Sequence, residues 1–343
     1  MRTQRTGRRR LACLSVVVAA LVPGVVACSG GTEVAVGDVK ATDAASGPLD
    51  GHEVSVTVPT GRLDVLVAEP QDEIGDQHAA DDGSLVRLTT TFHDTSVRQD
   101  VWAFAARRDL AEPVTLALQV GDDRYDVGVV RRALDDDVEL APGDAVVAVP
   151  EGVELDDVHL LVGYDGLEQS VSAADGTREP GPADALYADA QRGGSADCAG
   201  GRFQPSVDPD LRCRVGEARL LPYVPGPGWA ADGRSWLVVS IGTELSEVQA
   251  GGATYVVDAV TDHSTYQGQP VAATFDENVD EFVYSAQLVF DVDSSDAADR
   301  RELRVALDYR MRLADGDSPA GGGPDHLRYD DTIVLPDATA VPS

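Results

Sequence analysis

Short segments in which apolar and polar residues alternate recur along most of the chain, and this pattern is typical of β-strands with one buried face. In the first half such segments lie at 54–58, 63–67, 85–92, 115–120, 124–130, 145–149 and 158–164. Gly121-Asp122-Asp123 separates two of them and indicates a hairpin turn. About seven strands in about 110 residues predict a sandwich of the immunoglobulin type.

The same pattern returns in the second half, after a stretch rich in glycine, proline, serine and aspartate. Its alternating segments lie at 214–220, 236–241, 254–257, 285–290, 303–309 and 331–335. The stretch at 166–197 is interpreted as an interdomain linker, and Ala183 to Ala190 favours one short helix within it.

The two halves look like distant repeats of each other. The turn into a strand at 82–86 matches the one at 232–238, and the layout of 149–164 matches that of 292–309. The sequence therefore predicts an all-β fold with two tandem immunoglobulin-like β-sandwich domains. Their predicted bounds, with a short tail after the second domain, are 53–165, 198–337 and 338–343.

The first residues have the character of an export signal. Five arginines come before an apolar run at 11–27, and no acidic residue occurs before Glu33. The run is about 17 residues long and is broken at Pro23-Gly24, so it is short for a spanning helix and suited to a signal peptide. Both the general and the twin-arginine export routes stay open.

The apolar run ends in Val25-Val26-Ala27-Cys28, which resembles the lipobox of bacterial lipoproteins. The resemblance implies removal of the signal peptide 1–27, a lipid of the palmitate type on Cys28, and a place on the outer face of the cytoplasmic membrane. A plain secretory signal is the alternative, and Ser29-Gly30-Gly31 favours lipidation. Residues 28–52 are predicted to form a flexible tether with an average reach of about 25 Å.

Charge and cysteine content narrow the possible partners and sites. Without the five signal arginines, 22 basic residues face 59 Asp and Glu, and this excess of negative charge argues against a nucleic-acid partner. Cys198 and Cys213 remain in the exported chain, and we predict a disulfide between them that contributes about 3 kcal/mol. A metal site there is disfavoured, because the pair lacks nearby histidines and a CxxC spacing.

Catalytic motifs are missing from the sequence. Lys40 is the only lysine, which excludes a P-loop or a Schiff base, and HExxH, GxSxG and SxxK do not occur. We therefore predict that the chain is not an enzyme and needs no cofactor. Two weaker hypotheses stay open: His93-Asp94 or His263-Ser264 as fragments of a hydrolytic triad, and calcium at the acidic runs 135–137, 291–296 and 315–317.

Several local features are similar to the telokin-like immunoglobulin-fold domains found in Gram-positive lipoproteins. These features are the polar turn before a long strand at Leu85 and Trp236, the segment 140–144 that leads into a strand, and the segment 149–152 that follows it. The chain departs from these domains at 92–94, where Phe-His-Asp stands in place of a frequent asparagine. The resemblance implies a binding or scaffolding module and no particular chemistry.

A proline- and glycine-rich loop at 221–229 holds two large aromatic residues, Tyr223 and Trp229. Such a loop is able to present its rings to a partner or a sugar, or Trp229 folds back onto the domain core or the interdomain seam. The sequence thus supports an envelope lipoprotein that binds or scaffolds an envelope protein. The alternative is an accessory lipoprotein that binds a solute or a wall polymer through this loop.

Overall fold

Strands make up nearly all of the regular structure in the computed structural model, which is all-β. The structure describes residues 31–42, 51–94, 112–130, 143–187, 190–207, 209–294, 301–315, 323–336 and 339–341. Among these residues, no helix has the length and apolar character needed to cross a membrane.

The first half of the described chain contains twelve strands and two short 3-10 helices, Leu155–Asp157 and Pro182–Leu186. The strands are β1 (Thr32–Val34), β2 (Val39–Ala41), β3 (Gly51–Val58), β4 (Gly61–Ala68), β5 (Glu73–Ile74), β6 (Gln77–Ala79), β7 (Gly83–Asp94), β8 (Val114–Val120), β9 (Asp123–Val130), β10 (Asp144–Pro150), β11 (Val158–Tyr164) and β12 (Leu167–Ser172).

Two antiparallel sheets enclose the core of this half. Their strand orders are β2-β10-β7-β4-β3 and β12-β11-β8-β9. Alternate residues of facing strands point inward, so Val65 and Val147 of one sheet share a buried cluster with Leu116 and Leu160 of the other. The seven alternating segments predicted in this half are all strands, including the hairpin of β8 and β9.

The N-terminal residues correct the prediction of a tether at 28–52. β1 pairs in parallel with β6, and β2 pairs with β10 at the sheet edge. The outer face of β7 and β10 carries Leu85 and Val146, and these apolar side chains are covered by Val34 of β1, which is fully buried. Burial of apolar surface therefore fixes a segment that has no sustained alternation. Cys28 and residues 43–50 lie outside the described residues.

The second half of the described chain contains sixteen strands. They are β13 (Ala190–Arg192), β14 (Ala196–Asp197), β15 (Arg202–Gln204), β16 (Leu211–Leu221), β17 (Tyr223–Val224), β18 (Gly228–Trp229), β19 (Arg234–Leu245), β20 (Val248–Ala250), β21 (Ala253–Asp262), β22 (Thr265–Tyr266), β23 (Gln269–Pro270), β24 (Ala273–Val279), β25 (Val283–Asp293), β26 (Glu302–Asp315), β27 (His326–Val334) and β28 (Thr339–Val341).

Two larger sheets form the body of this half, and β17 and β18 form a separate two-stranded sheet. One sheet runs β24-β25-β19-β16-β13-β28, with β14 also paired to β16, and the other runs β15-β27-β26-β21-β20, with β22 paired to β26 and β23 paired to β22. Leu288 and Phe290 from the first sheet and Leu303 and Leu307 from the second share a buried cluster. The six predicted segments of this half fall on β16, β19, β21, β25, β26 and β27, and the last strand ends one residue before the predicted Leu335.

The interdomain linker predicted at 166–197 is wrong for most of its length. β12 is a regular member of the first half, since it pairs with β11, and β14 pairs with β16 of the second half. Between them, the helix Pro182–Leu186 places Ala183 and Leu186 in the first core. This helix covers the start of the predicted helical segment. Two isolated apolar residues thus suffice to anchor this polar stretch of chain to the first core.

Strand pairing repeats between the two halves. In the first half, β4, β7 and β10 share one sheet, and β8, β11 and β12 share the other. In the second half, β16, β19 and β25 share one sheet, and β21, β26 and β27 share the other. When the six strands of each half are taken in chain order, the first, second and fourth lie in one sheet in both halves. The sequence matches of 82–86 with 232–238 and of 149–164 with 292–309 fall on strands that are equivalent in this scheme.

Candidate functional site

The aromatic loop at 221–229 lies between the two halves. Prolines and the positive φ angles of Gly226 and Gly228 (88° and 83°) turn the chain so that β17 and β18 pair. This turn brings Tyr223 and Trp229 together edge to face with ring centres 5.2 Å apart, and Tyr223 also meets Tyr164 of β11 edge to face at 5.2 Å. The indole N–H of Trp229 donates to the carbonyl of Tyr164 at 2.9 Å.

Neither ring is presented as an open binding surface. Tyr223 is 1% exposed and Trp229 is half-buried. Tyr223 belongs to the cluster that forms the first core and Trp229 packs against it, so Trp229 folds back at the seam between the halves, the second of its two predicted places. Burial raises the pKa of Tyr223 far above its usual value, which keeps its hydroxyl neutral.

The seam continues into the first sheet of the second half. Val238 of β19 and Val289 of β25 are cross-strand partners that point into the first core. Their neighbours Val239 and Leu288 point the other way, into the second core. This part of the sheet is therefore apolar on both faces, and one hydrophobic layer connects the two halves.

The two cysteines predicted to pair lie at disulfide distance. Their sulfurs are 1.96 Å apart and both residues are buried. The amide of Cys198 donates to the carbonyl of Cys213, which joins the segment before β15 to β16. Both cysteines belong to the second core, so the pair has a structural position.

A polar network surrounds Asp64 on β4. Ser55 Oγ donates to one carboxylate oxygen at 2.6 Å, while Arg62 and His93 reach the other at 2.8 and 2.9 Å. Burial alone would raise the pKa of Asp64, but the hydrogen bonds from Ser55 and Arg62, with the charges of Arg62 and His93, lower it overall. The carboxylate is consequently held in its charged form.

This arrangement differs from a hydrolytic triad. In a triad the imidazole stands between the carboxylate and the nucleophile, whereas His93 and Ser55 bind the same carboxylate separately. The other predicted fragment is no closer to one, because the Ser264 hydroxyl is buried and accepts the amide N–H of Ala306. Ser55 and Ser264 therefore lack the geometry of an activated nucleophile.

An open groove of about 420 Å³ lies beside the same network. Ser55 of β3 forms one wall, and the opposite wall consists of residues that follow β12: Gly176, Thr177, Arg178, Pro180 and Asp184. The Arg178 guanidinium carbon stands 3.2 Å from the centre of the Tyr187 ring, which is a cation–π contact. A cationic side chain in a polar groove at a sheet edge is thus a candidate recognition feature. No sequence feature predicted this groove.

Among the described strands, β3 is the last of its sheet, and its residue Ser55 lines this groove. At Thr57 the outward backbone groups of the strand are occupied, because Tyr187 accepts the Thr57 N–H at 3.0 Å and Gln169 donates to the Thr57 carbonyl at 2.9 Å. The Tyr187 hydroxyl itself donates to Gln169 at 2.7 Å. Side chains thus close one end of the strand edge and leave the part before Thr57 to the groove.

Within the described residues, no group of three or more histidine, cysteine, aspartate or glutamate side chains is arranged to hold a metal ion. Asp135-Asp136-Asp137 lies outside the described residues, as do Asp296 and Asp317. Asp291 is bound to Arg234 at 2.8 Å. Calcium binding at the acidic runs remains a prediction.

Comparison with known proteins leaves the site to be interpreted from its own geometry. No protein-family model matches the chain, and no curated protein shows significant similarity to it.

Proposed function

We propose that the protein is a non-enzymatic lipoprotein of the cell envelope that binds or scaffolds another envelope protein. In this proposal a lipid on Cys28 holds it at the outer face of the cytoplasmic membrane. Five arginines, an apolar run and Val25-Val26-Ala27-Cys28 support the anchor, since this order of features is typical of lipoprotein signals.

The observation that carries the binding role is the contrast between the aromatic loop and the groove. Tyr223 and Trp229 join the two halves, whereas the groove beside β3 is open and carries Arg178. Binding residues are commonly placed on exposed segments that a packed body holds in position, and this combination supports the binding role. The alternative role in solute or polymer binding through the aromatic loop has less support, because its rings pack within the protein.

We further propose that the two halves are tandem immunoglobulin-like domains. In each half the first, second and fourth equivalent strands share one sheet and the third, fifth and sixth share the other. Strands A, B, E and C, F, G of the immunoglobulin sandwich are divided in the same way. Modules of this kind serve mainly in binding and scaffolding, although the fold alone does not define a partner.

The anchor is tested by labelling cells with an alkyne-bearing palmitate analogue and separating membranes from soluble material. The wild type should be labelled and sediment with membranes, whereas Cys28→Ala should lose both properties. Cys13→Ala is the matched control, because Cys13 lies within the proposed signal and should leave labelling unchanged. An unlabelled wild-type protein would rule out the anchor.

The binding role is tested by crosslinking intact cells that express the C-terminally tagged chain, followed by mass spectrometry. One envelope protein recovered in stoichiometric amount with the wild type, and in lower yield with Cys28→Ala, is the expected result. Recovery of background proteins alone from abundant, folded protein would contradict the scaffolding role.

A further inference from the structure

We propose that the groove beside β3 binds an extended, carboxylate-bearing polypeptide segment, which adds to the sheet as a strand next to β3. The proposal deepens the proposed function, since it states the form in which a protein partner would bind. Its support is the hydrogen-bonding pattern of β3, the closure of that strand at Thr57 and the position of Arg178.

The strand register determines which backbone groups face the groove. Val58 and Gly61 are partners on either side of the two-residue turn at 59–60, so Val58, Val56 and Val54 direct their amide and carbonyl groups toward β4. The groups of Glu53 and Ser55 point the opposite way, and β4 is the only paired neighbour of β3 among the described strands. Glu53 and Ser55 thus present two N–H donors and two carbonyl acceptors to an incoming strand.

The far end of the edge limits where that strand can lie. Thr57 has the same outward orientation, yet Tyr187 and Gln169 already bind its amide and carbonyl. An added strand therefore pairs with residues before Thr57, and Tyr187 marks its limit. The same contacts argue against a second copy of β3 pairing along the whole edge, because they occupy part of it.

Arg178 indicates the charge of the occupant. Its guanidinium lies over the Tyr187 ring, and it forms no ion pair within the described part of the chain. Asp184, the acidic residue of the groove wall, accepts the amide of Gly181, and Asp175, just before the wall, accepts that of Thr177. A carboxylate on the incoming strand would be a suitable partner for the stacked guanidinium.

The test is a selection of random twelve-residue peptides displayed on phage against the purified mature chain in detergent. Glu53→Pro removes one outward N–H of β3 without removing a hydrogen bond to β4, and Glu53→Ala is the matched control that keeps this N–H. Peptides recovered on the wild type should bind Glu53→Ala equally and Glu53→Pro at least about tenfold more weakly, a change of about 1.4 kcal/mol. Circular dichroism and the melting temperature verify that both variants are folded.

The charge requirement has its own comparison. Arg178→Gln should weaken the selected peptides, and replacing their acidic residue with glutamine should abolish the difference between Arg178→Gln and the wild type. Arg212→Gln is the control, since Arg212 lies on β16 and is 77% exposed at its side chain. Unchanged binding to Arg178→Gln would overturn the assignment of a carboxylate.

The strand proposal is overturned if no recovered peptide distinguishes Glu53→Pro from Glu53→Ala. It is also overturned if light scattering shows a dimer that Glu53→Pro converts to a monomer, because the occupant is then a second copy of the chain. Binding is measured with isolated protein and does not require the lipid, so failure of the anchor at Cys28 would leave this result unaffected.

Discussion

The contacts that Tyr223 makes between the two halves predict that it stabilises both of them. Its ring is 1% exposed and contacts Tyr164 and Trp229 at 5.2 Å each. Replacing a buried aromatic ring with alanine costs about 3–5 kcal/mol, since the lost burial adds to the cost of the cavity. Tyr223→Ala should therefore lower the free energy of unfolding by this amount and weaken the coupling between the halves.

Urea unfolding followed by two probes measures both effects. Trp229 and Trp236 pack against the first core at the seam, so in a Trp102→Phe background tryptophan fluorescence reports on it, whereas far-ultraviolet circular dichroism reports on all strands. With a slope of about 3 kcal/mol per M, the fluorescence midpoint should fall by about 1 M or more. In the variant it should also fall below the midpoint from circular dichroism, because the halves then unfold separately.

The control is Phe282→Ala, which removes an aromatic ring that is 38% exposed. It should shift the midpoint much less, because less apolar surface is lost from the interior. If Tyr223→Ala shifts the midpoint no more than Phe282→Ala, or if both probes still coincide, the seam does not couple the halves and the reasoning is refuted.

Three other predictions follow from local contacts. Replacing Cys198 and Cys213 together with serine should cost about 3 kcal/mol, because the pair closes a loop with a sequence separation of 15; the shift in melting temperature checks this, and an unchanged value would contradict it. Asp64 has a lowered pKa, so its stabilisation is present above the unfolded pKa of about 3.9 and is lost as the pH falls through the lower folded value. The melting temperature of Asp64→Asn should accordingly lie further below the wild type at pH 7 than at about pH 2, and an equal gap at both would contradict the linkage. Tyr187→Phe should cost about 1–2 kcal/mol in urea unfolding by leaving the Thr57 amide without its acceptor, and a neutral result would show that water replaces it.

Long strands could be predicted from the sequence because their alternation persists over several residues. The segment predicted at 85–92 lies within β7, and the one predicted at 303–309 lies within β26. Short strands carry no such signal. β14 and β17 have two residues each, which is a single repeat of inward and outward positions, so no sustained alternation marks them in the sequence.

The candidate site could not be predicted for a different reason: its residues lie far apart along the chain, and only the fold brings them together. Trp229 donates to a carbonyl 65 residues away, and the Thr57 amide donates to a hydroxyl 130 residues away. The sequence does show that the aromatic loop is unusual, but a loop that exposes its rings and a loop that packs them would both contain the same prolines, glycines and aromatic residues. Only the position of Tyr164 decides between an exposed loop and a packed one.

The N-terminal strands also change what a lipid on Cys28 would do. A tether of 25 residues would let the body move away from the membrane, but Gly31 already packs against the backbone of Asp76, and the Thr32 amide donates to the Asp76 carbonyl at 2.7 Å. Three peptide units join Cys28 to Gly31, and they span at most about 11 Å. An anchored body would therefore be held close to the headgroups on the side of the turn between β5 and β6. Glu73 and Asp76 are exposed on that side, so an anionic membrane would repel it within a Debye length of about 8 Å, and the orientation of the body should depend on ionic strength.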